Sequence, residues 1–304
     1  MKKALFFLLA SIFLAGCSTQ PVAITQIYAF GDGPSDNGNF MRTVREQVNK
    51  GELDPIILTI LETVTTADRL SNGPVAVEIL ADKLQASLTD YAVFGALSDD
   101  TYFSMSGPGL FGQIGQFETE LQGKKADPDS LFFIFASGGD FYNSFCYNDT
   151  PVIATDLADQ VVANISTAVT RLADVGAKRF MVVNSKNFPI EPQIDFCSKG
   201  NQAPVFQDRI NSRLPSKMEE LAKQLQINIE LFDYSAISDR IAKNPDQYGL
   251  SNVTDSCIVY MDSAGVEPNG VCESPDEYYF WDRHHTTQRV NEIIGEAMAE
   301  QLSK

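Results

Sequence analysis

The chain has 304 residues, which is enough for one large domain with a sizeable core. It carries 40 acidic and 23 basic residues, for a net charge of −17. This excess of negative charge argues against a nucleic-acid partner, because few cations are available to neutralise phosphates. It also leaves no basic patch for anionic lipid headgroups.

The N-terminus has the pattern of an export signal. Lys2 and Lys3 precede an apolar run from Ala4 to Ala15, which is about a dozen residues and too short to span a bilayer. The run ends in Leu14-Ala15-Gly16-Cys17, which resembles a bacterial lipoprotein signal. That resemblance implies cleavage before Cys17, a lipid on Cys17, and a place in the cell envelope; Ser18 hints at the outer membrane. The alternative is an ordinary secretory peptide with a chance cysteine.

We therefore predict a signal peptide over residues 1–16 and a single domain over residues 17–304. Four further cysteines make an even count, which in an exported chain predicts two disulfides. Three pairings are possible; we favour Cys257 with Cys272, which closes a short loop, and Cys146 with Cys197. A metal site is the alternative, but the chain has no C-x-x-C spacing and its only histidines are His284 and His285. We predict no metal and no cofactor.

Apolar runs alternate with amphipathic stretches along the rest of the chain. The strands predicted from these runs are 27–30, 90–96, 131–136, 179–184 and 227–232. The predicted helices are 40–61 with a break at Pro55, 75–84, 110–121, 157–175, 211–225, 237–243 and 287–302. We expect 248–279 to be a loop. Strands that alternate with helices predict an α/β fold with a mostly parallel sheet covered on both faces.

Several predicted strands end in glycine and acidic residues. These ends are Gly31-Asp32-Gly33, Gly95, Gly138-Gly139-Asp140 and the loop at Asn184. In open α/β sheets, ligands bind where the carboxyl ends of the strands meet, so these turns are candidates for one site. Taken by itself, each turn is better explained as a tight connection in which Asp caps the next helix.

The segment Phe30-Gly31-Asp32-Gly33-Pro34-Ser35-Asp36-Asn37-Gly38-Asn39 resembles the first motif of the GDSL (SGNH) esterases and lipases, F-G-D-S-x-S-D-x-G-N. Near the C-terminus, Phe280-Trp281-Asp282-Arg283-His284-His285-Thr286-Thr287 resembles the family's last block, F-W-D-x-x-H-P-T. The resemblance implies a three-layer α/β/α, flavodoxin-like parallel sheet. It also implies that Asp282 and His285 are the catalytic acid and base.

Other segments extend the resemblance over roughly residues 25–300. Tyr91-Ala92-Val93-Phe94-Gly95-Ala96 is similar to the family's Y-A-x-G-G-A, which implies that Gly95 belongs to the oxyanion site. Segments 71–75, 176–184 and 244–249 are similar to further family blocks. The backbone N–H of Gly33 is a second candidate donor to that site.

Two departures affect the catalytic groups themselves. Gly33 stands where the family has its nucleophilic serine, and glycine has no side chain with which to attack an ester. We also match Asp140 to the oxyanion asparagine of the family's G-x-N-D motif, where a carboxylate would repel a developing oxyanion. A carboxyl kept protonated by burial would still donate a hydrogen bond there.

Three functions remain open on the sequence alone. The first is an envelope lipoprotein of GDSL type with a degenerated ester-hydrolase site that still binds acyl or glycan ligands. The second is a working esterase in which His285 and Asp282 activate either a water molecule or Ser35. The third is a structural or interaction lipoprotein without a small-molecule site. We expect the membrane to be contacted through the lipid on Cys17.

Overall fold

The computed structural model describes residues 23–103, 105–148, 151–260 and 268–304. The predicted signal peptide and Cys17 lie outside these ranges. Within them, no helix combines the length and the apolar character needed to cross a bilayer.

The described residues form alternating strands and helices. The strands are β1 (Gln26–Gly31), β2 (Ser87–Asp90), β3 (Leu131–Phe135), β4 (Arg179–Val183), β5 (Asn228–Phe232), β6 (Asn252–Ser256), β7 (Ile258–Tyr260), β8 (Pro268–Val271) and β9 (Tyr278–Phe280). The helices are α1 (Asn39–Asn49), α2 (Pro55–Glu62), α3 (Ala76–Leu84), α4 (Leu110–Glu120), α5 (Gly138–Tyr142), α6 (Ala154–Asp174), α7 (Ala203–Leu225), α8 (Tyr234–Lys243) and α9 (Gln288–Leu302).

The first five strands form one parallel sheet in the order β2-β1-β3-β4-β5. This order confirms the predicted flavodoxin-like architecture. Strand β3 lies at the centre and all five of its residues are buried, because helices cover both of its faces. Side chains alternate between the faces: Phe132 and Ile134 pack with α4, α6 and α7, whereas Phe133 and Phe135 pack with α3, α8 and α9.

One predicted strand and one predicted loop differ from the structure. The strand predicted over 90–96 lies earlier in the chain, as β2 at Ser87–Asp90. It is an edge strand whose residues are exposed or half-buried, so its sequence contains no apolar run. The apolar residues Tyr91, Ala92 and Val93 are buried as a loop instead. The predicted loop over 248–279 contains four short strands, in which β6 pairs with β9 and β7 with β8.

Helix α7 begins at Ala203, eight residues before the predicted start at 211. Its early apolar residues Phe206 and Ile210 are buried on the same face as Leu214 and Met218. The polar residues between them obscure this face in the sequence. The helix also continues through Pro215, which has no backbone N–H to donate.

A buried glutamine completes the end of β1 on the side that faces α4. The Gln113 amide group accepts from Gly31 N and donates to Gly31 O, both at 2.8 Å, and it also donates to Pro108 O at 3.0 Å. Gln113 is fully buried. Its side chain therefore fixes the last residue of β1 immediately before the turn at Asp32 and Gly33.

We expect Gln113→Leu to lower the free energy of unfolding by about 2 kcal/mol, because it leaves Gly31 N buried without a partner. Urea unfolding followed by circular dichroism measures this change. Gln224→Leu, at an exposed position of α7, is the matched control. Equal stability of the two variants would show that the Gln113 hydrogen bonds do not hold the end of β1.

Candidate active site

Asp32 joins the ends of the two central strands. Asp32 N donates to Phe135 O at 3.2 Å, and Oδ2 accepts from the amides of Ser137, Gly138 and Gly139 at 3.2, 2.7 and 3.1 Å. The carboxyl is buried, and burial raises its pKa; the Lys186 ammonium and the three amides oppose that rise. The turn after β1 and the turn after β3 are thereby held side by side.

Gly33 faces the imidazole of His285 directly. A Cβ atom built on Gly33 would overlap His285 Nε2 and lie 3.0 Å from Phe94 Cδ2. The imidazole therefore fills part of the space that a side chain at this position would use. Gly33 and His285 are 252 positions apart in the sequence, and they lie side by side in the structure as we predicted. Gly33 presents no side-chain atom to the imidazole.

Asp282 orients His285 from the side away from Gly33. Its Oδ2 lies 2.8 Å from His285 Nδ1, and its Oδ1 accepts from the amides of His284 and His285 at 2.7 and 2.6 Å. Both side chains are buried. Because Nδ1 faces a carboxylate, it carries the hydrogen in the neutral ring, and the lone pair of Nε2 points towards Gly33. This is the arrangement of a general base.

The pKa of Asp282 reflects these contacts. Burial alone would raise the pKa, but the His285 imidazole and the neighbouring amides outweigh burial and lower it to about 2. The loop that carries this pair is itself fixed, since the indole N–H of Trp281 donates to Val64 O at 2.7 Å and Trp281 N donates to His285 O at 2.8 Å.

An open pocket lies above Gly33, beside His285. Its walls are the rings of Phe94, Phe103, Tyr142 and Tyr147. Its floor is backbone contributed by glycines, namely Gly33, Gly95, Gly138 and Gly139. Gly95 has a φ of +80°, and a Cβ there would overlap Ser106 Oγ, so this position requires glycine.

Two amides of this floor are available to a ligand. Gly33 N and Gly95 N donate to no other residue in the part of the chain that the structure describes. Both residues line the pocket beside His285. Unpaired N–H groups on residues that line a pocket beside a histidine are candidates for an oxyanion site.

The family model described as GDSL-like Lipase/Acylhydrolase matches residues 27–298. The chain belongs to this family. Its five-stranded parallel sheet between helices is the SGNH hydrolase fold.

Relatives with known names share about a quarter of the sequence. The thermolabile hemolysin of Vibrio parahaemolyticus serotype O3:K6 is 25% identical over 298 residues, which are 92% of this chain and 64% of that protein. The sinapine esterase of Brassica napus is 24% identical over 349 residues, covering 95% of this chain and 88% of that protein. The chain spans 53% of the length of a GDSL esterase/lipase of Arabidopsis thaliana. A carbohydrate acetylesterase from Sinorhizobium meliloti is 12% identical, with a TM-score of 0.49, and the match covers 92% of this chain and 98% of that chain.

Asp140 does not lie where we predicted it. Its carboxylate accepts from Ser98 N at 3.0 Å and from Ser98 Oγ at 2.8 Å, and Asn164 supports that hydroxyl at 2.9 Å. Burial raises the pKa of Asp140 to about 7, against the two Ser98 hydrogen bonds. Because both carboxyl oxygens are used by Ser98 behind the pocket, Asp140 does not serve as an oxyanion donor.

Gly139 lies on the pocket floor instead of Asp140. The two residues are neighbours in the short helix α5, where successive side chains point about 100° apart, so only one of them faces the pocket. Placing the GDSL motif G-x-N-D one residue earlier puts Gly139 at the asparagine and Asp140 at the aspartate. A Cβ on Gly139 would overlap Ala96 O, which leaves no room there for an asparagine. Neither Asp140 nor Gly139 therefore offers a side-chain donor to the pocket.

Ser35 is also separated from the site. It is 1% exposed, its amide donates to Asp32 O at 3.0 Å, and it lines neither of the two cavities next to His285. The structure does not bring it to His285 as a replacement nucleophile.

A buried ion pair beside the pocket has no counterpart in the sequence motifs. Lys186 Nζ lies 3.0 Å from Glu191 Oε1 and donates to His284 O at 2.9 Å, and Tyr142 donates its hydroxyl to Glu191. Burial lowers the pKa of Lys186 to about 8 and raises that of Glu191 well above its usual value. The only signal in the sequence is a lone lysine just after the apolar strand β4, at the edge of the sheet where ligands bind.

The two disulfides are those we predicted, Cys146–Cys197 and Cys257–Cys272. The first lies directly before Tyr147 of the pocket wall. The second lies beside Trp281, whose ring packs with Cys257. In the described residues no group of three or more His, Cys, Asp or Glu side chains is placed to hold a metal ion.

We expect Asp282→Asn to remove an acid-sensitive part of the stability. The folded pKa of about 2 lies below the unfolded value of about 3.9. The contribution of Asp282 is therefore complete above about pH 4 and is lost as the pH falls towards 2; at neutral pH it amounts to about 2 kcal/mol.

Urea unfolding of the parent and of Asp282→Asn between pH 7 and pH 2 tests this expectation. The difference between the two proteins should shrink in acid. Asp100→Asn, which changes an exposed carboxylate, is the control and should follow the parent. A difference that stays constant down to pH 2 would mean that Asp282 is not held ionised by His285.

Proposed function

We propose that this GDSL-family chain is an envelope lipoprotein that binds acyl or ester-like ligands and has lost hydrolysis by a serine nucleophile. The observation that carries this proposal is the contact between Gly33 and the imidazole of His285. No oxygen is available between the base and the pocket, and removal of the nucleophile from a comparable triad lowers the rate about a million-fold.

The rest of the site supports ligand binding. The aromatic walls offer apolar surface to an acyl or aryl group, and Gly33 N and Gly95 N offer hydrogen bonds to its carbonyl oxygen. The family's substrates are esters, so a ligand of similar shape fits the pocket. Most of the exposed surface of the pocket is apolar, which favours an acyl or aryl ligand over a glycan.

Hydrolysis by an activated water molecule is a second candidate. It is favoured by the intact pair of His285 and Asp282 and by a second, polar cavity next to His285, lined by Tyr234, Ser238 and Tyr279. Against it, the imidazole already fills part of the space left at Gly33. The same experiment separates the two candidates.

We expect the full chain, purified in a non-ionic detergent, to hydrolyse nitrophenyl butyrate no faster than its His285→Ala variant. His284→Ala is the matched control for loss of an imidazole at the same loop. Turnover by the parent that disappears in His285→Ala and persists in His284→Ala would contradict the proposal and support the water mechanism.

Gly33→Ser supplies the positive arm of this experiment. The new hydroxyl restores an attacking oxygen, and we expect slow turnover that is lost again in Gly33→Ser/His285→Ala. The rate should stay low because the imidazole must withdraw and because Gly139 gives no side-chain amide, a loss that alone costs about a hundred- to thousand-fold. Gly115→Ser, on α4, is the control and should remain inactive, because a Cβ there would meet only Arg171 Nη2, at 3.8 Å.

Attachment to the envelope is part of the proposal and rests on the N-terminal segment. Lys2, Lys3, the apolar run and the small residues before Cys17 support a lipoprotein signal. The two disulfides support an oxidising compartment.

Cys17→Ser tests the anchor. In bacteria fed radioactive palmitate, the parent should be labelled and found with the membranes. We expect the variant to be unlabelled, because the thioether that carries the lipid cannot form. Cys257→Ser, which breaks a disulfide in the folded domain, should still be labelled; equal labelling of parent and Cys17→Ser would rule out this lipid site.

A further inference from the structure

The wall of the pocket contains a π-helical turn. It spans Asn143–Tyr147, directly after α5, and it is closed by Asn148 N, which donates to Asn143 O at 3.0 Å. Turns of this kind are rare in proteins and are frequently found at functional sites. Asn143 and Tyr147, the two ends of the turn, both line the pocket. A rearrangement of this turn would therefore change the shape of the wall.

Tyr147 connects the π turn to the loop that carries His285. Its hydroxyl lies 2.9 Å from His284 Nε2, and its ring centroid lies 4.9 Å from that of Phe103. The residue is nevertheless 42% exposed, so these contacts cover only part of its ring. The place of Tyr147 in the wall therefore depends strongly on the backbone of the π turn.

The disulfide Cys146–Cys197 is a covalent support of this turn. It joins the turn to the segment 191–199, which follows β4 in the chain. A backbone hydrogen bond runs in parallel with the disulfide, from Lys199 N to Phe145 O at 3.2 Å. The π turn is thus held from one side by the segment 191–199.

The segment 191–199 is itself attached to the histidine loop. Gln193 N donates to Arg283 O at 3.2 Å. The guanidinium of Arg283 lies over the ring of Phe196, 3.8 Å from its centroid. The wall and the histidine loop are therefore connected twice, directly through Tyr147 and indirectly through the disulfide and this segment.

This disulfide is placed where a reductant can approach it. Cys146 and Cys197 are both half-buried, and Cys197 stands between the exposed residues Phe196 and Ser198. Cys197 also lines an open groove on the surface. In the other disulfide, by contrast, Cys257 is fully buried. Because thiol–disulfide exchange requires a thiolate to reach one of the sulfurs, the two disulfides should differ in how fast they are reduced.

We propose that Cys146–Cys197 is a redox control of access to the pocket, with a protein dithiol as the reductant. One thiolate of the dithiol attacks Cys197 Sγ, and Cys146 leaves as a thiolate that takes up a proton. The second thiol of the dithiol then displaces Cys197 from the mixed disulfide. Two electrons and two protons have passed to the pair, and the dithiol has become a disulfide.

Reduction removes the covalent support of the π turn. Tyr147 is then no longer held at His284, and the pocket opens on the side of the histidine loop. The inference concerns access to the pocket, so it does not depend on whether the site hydrolyses esters.

Graded reduction of the full chain in non-ionic detergent tests the first step. The chain is treated with increasing dithiothreitol, its thiols are capped with iodoacetamide, and the capped cysteines are identified by peptide mass spectrometry. We expect Cys146 and Cys197 to be capped while Cys257 and Cys272 remain joined and the circular dichroism spectrum stays that of the parent. Simultaneous reduction of both pairs, or reduction only with loss of the native spectrum, would overturn the inference.

A double variant tests the effect on the wall. In Cys146→Ser/Cys197→Ser we expect amide hydrogen exchange over residues 143–148 to be at least about tenfold faster than in the parent, because local opening costs less without the cross-link. Cys257→Ser/Cys272→Ser is the matched control and should exchange in this segment as the parent does. Equal exchange in the parent and the first variant would contradict the proposal, as would equal acceleration in both variants.

The histidines report on access to the pocket. The chain has only two, and both line the pocket, so their modification by diethyl pyrocarbonate measures how open it is. His285 should be modified faster in Cys146→Ser/Cys197→Ser than in the parent, and an unchanged rate would rule out a control of access. If that variant does not fold, the parent reduced by dithiothreitol and capped replaces it. Reoxidation of uncapped, reduced parent should restore slow modification, and a rate that stays fast would show damage in place of a switch.

Discussion

The contact on which the site depends is the one between Asp32 and the amides that follow β3. One carboxylate oxygen accepts from three successive backbone N–H groups and so holds the ends of β1 and β3 at a fixed separation. Gly33, Gly138 and Gly139 take their places on the pocket floor because of this contact. Gln113 acts on the other side of the same turn by pairing with both backbone groups of Gly31. The floor is thus built from backbone that two buried polar side chains hold in place.

The site holds a histidine oriented by a carboxylate, and the residue that this histidine faces, Gly33, has no side chain. Asp282 fixes the imidazole of His285 through one face, and the indole of Trp281 fixes the loop beneath it. These contacts hold the imidazole against the backbone at Gly33. In this site the imidazole is oriented by a carboxylate, whereas residue 33 offers no side-chain oxygen. The surface around them is a pocket lined by aromatic side chains and by two backbone N–H groups that have no partner among the described residues.

Much of the fold could be predicted because the sheet is buried on both faces. The apolar pattern of β3 indicates a strand, and the apolar pattern of α6 indicates a helix. The strand order was predicted from the resemblance to the family's motifs. We predicted edge strand β2 too late in the chain. Its side chains alternate between exposed and half-buried, whereas the buried apolar residues that follow it form a loop. The short strands β6 to β9 have mixed composition and are held by Trp281 and a disulfide, which no local pattern indicates.

Within the site, the sequence brought Gly33, Gly95, Asp282 and His285 together correctly, since each belongs to a spaced motif. Asp140 was assigned to the pocket, but its neighbour Gly139 is the residue that lies there. A shift of one residue along a helix changes the direction of the side chain, and the chain has no asparagine at this motif that would fix the alignment. Lys186 and Glu191 were not found, because their pairing depends on two loops that meet only in the folded chain.

The two glycines at positions 33 and 139 also limit which side chains this surface accepts. A side chain at either position overlaps a neighbour, the imidazole at one and the carbonyl of Ala96 at the other. An imidazole can swing aside at the end of its side chain, whereas a carbonyl moves only with the backbone that carries it. Position 139 is therefore the stricter of the two, and a new side chain there would have to displace the backbone at Ala96.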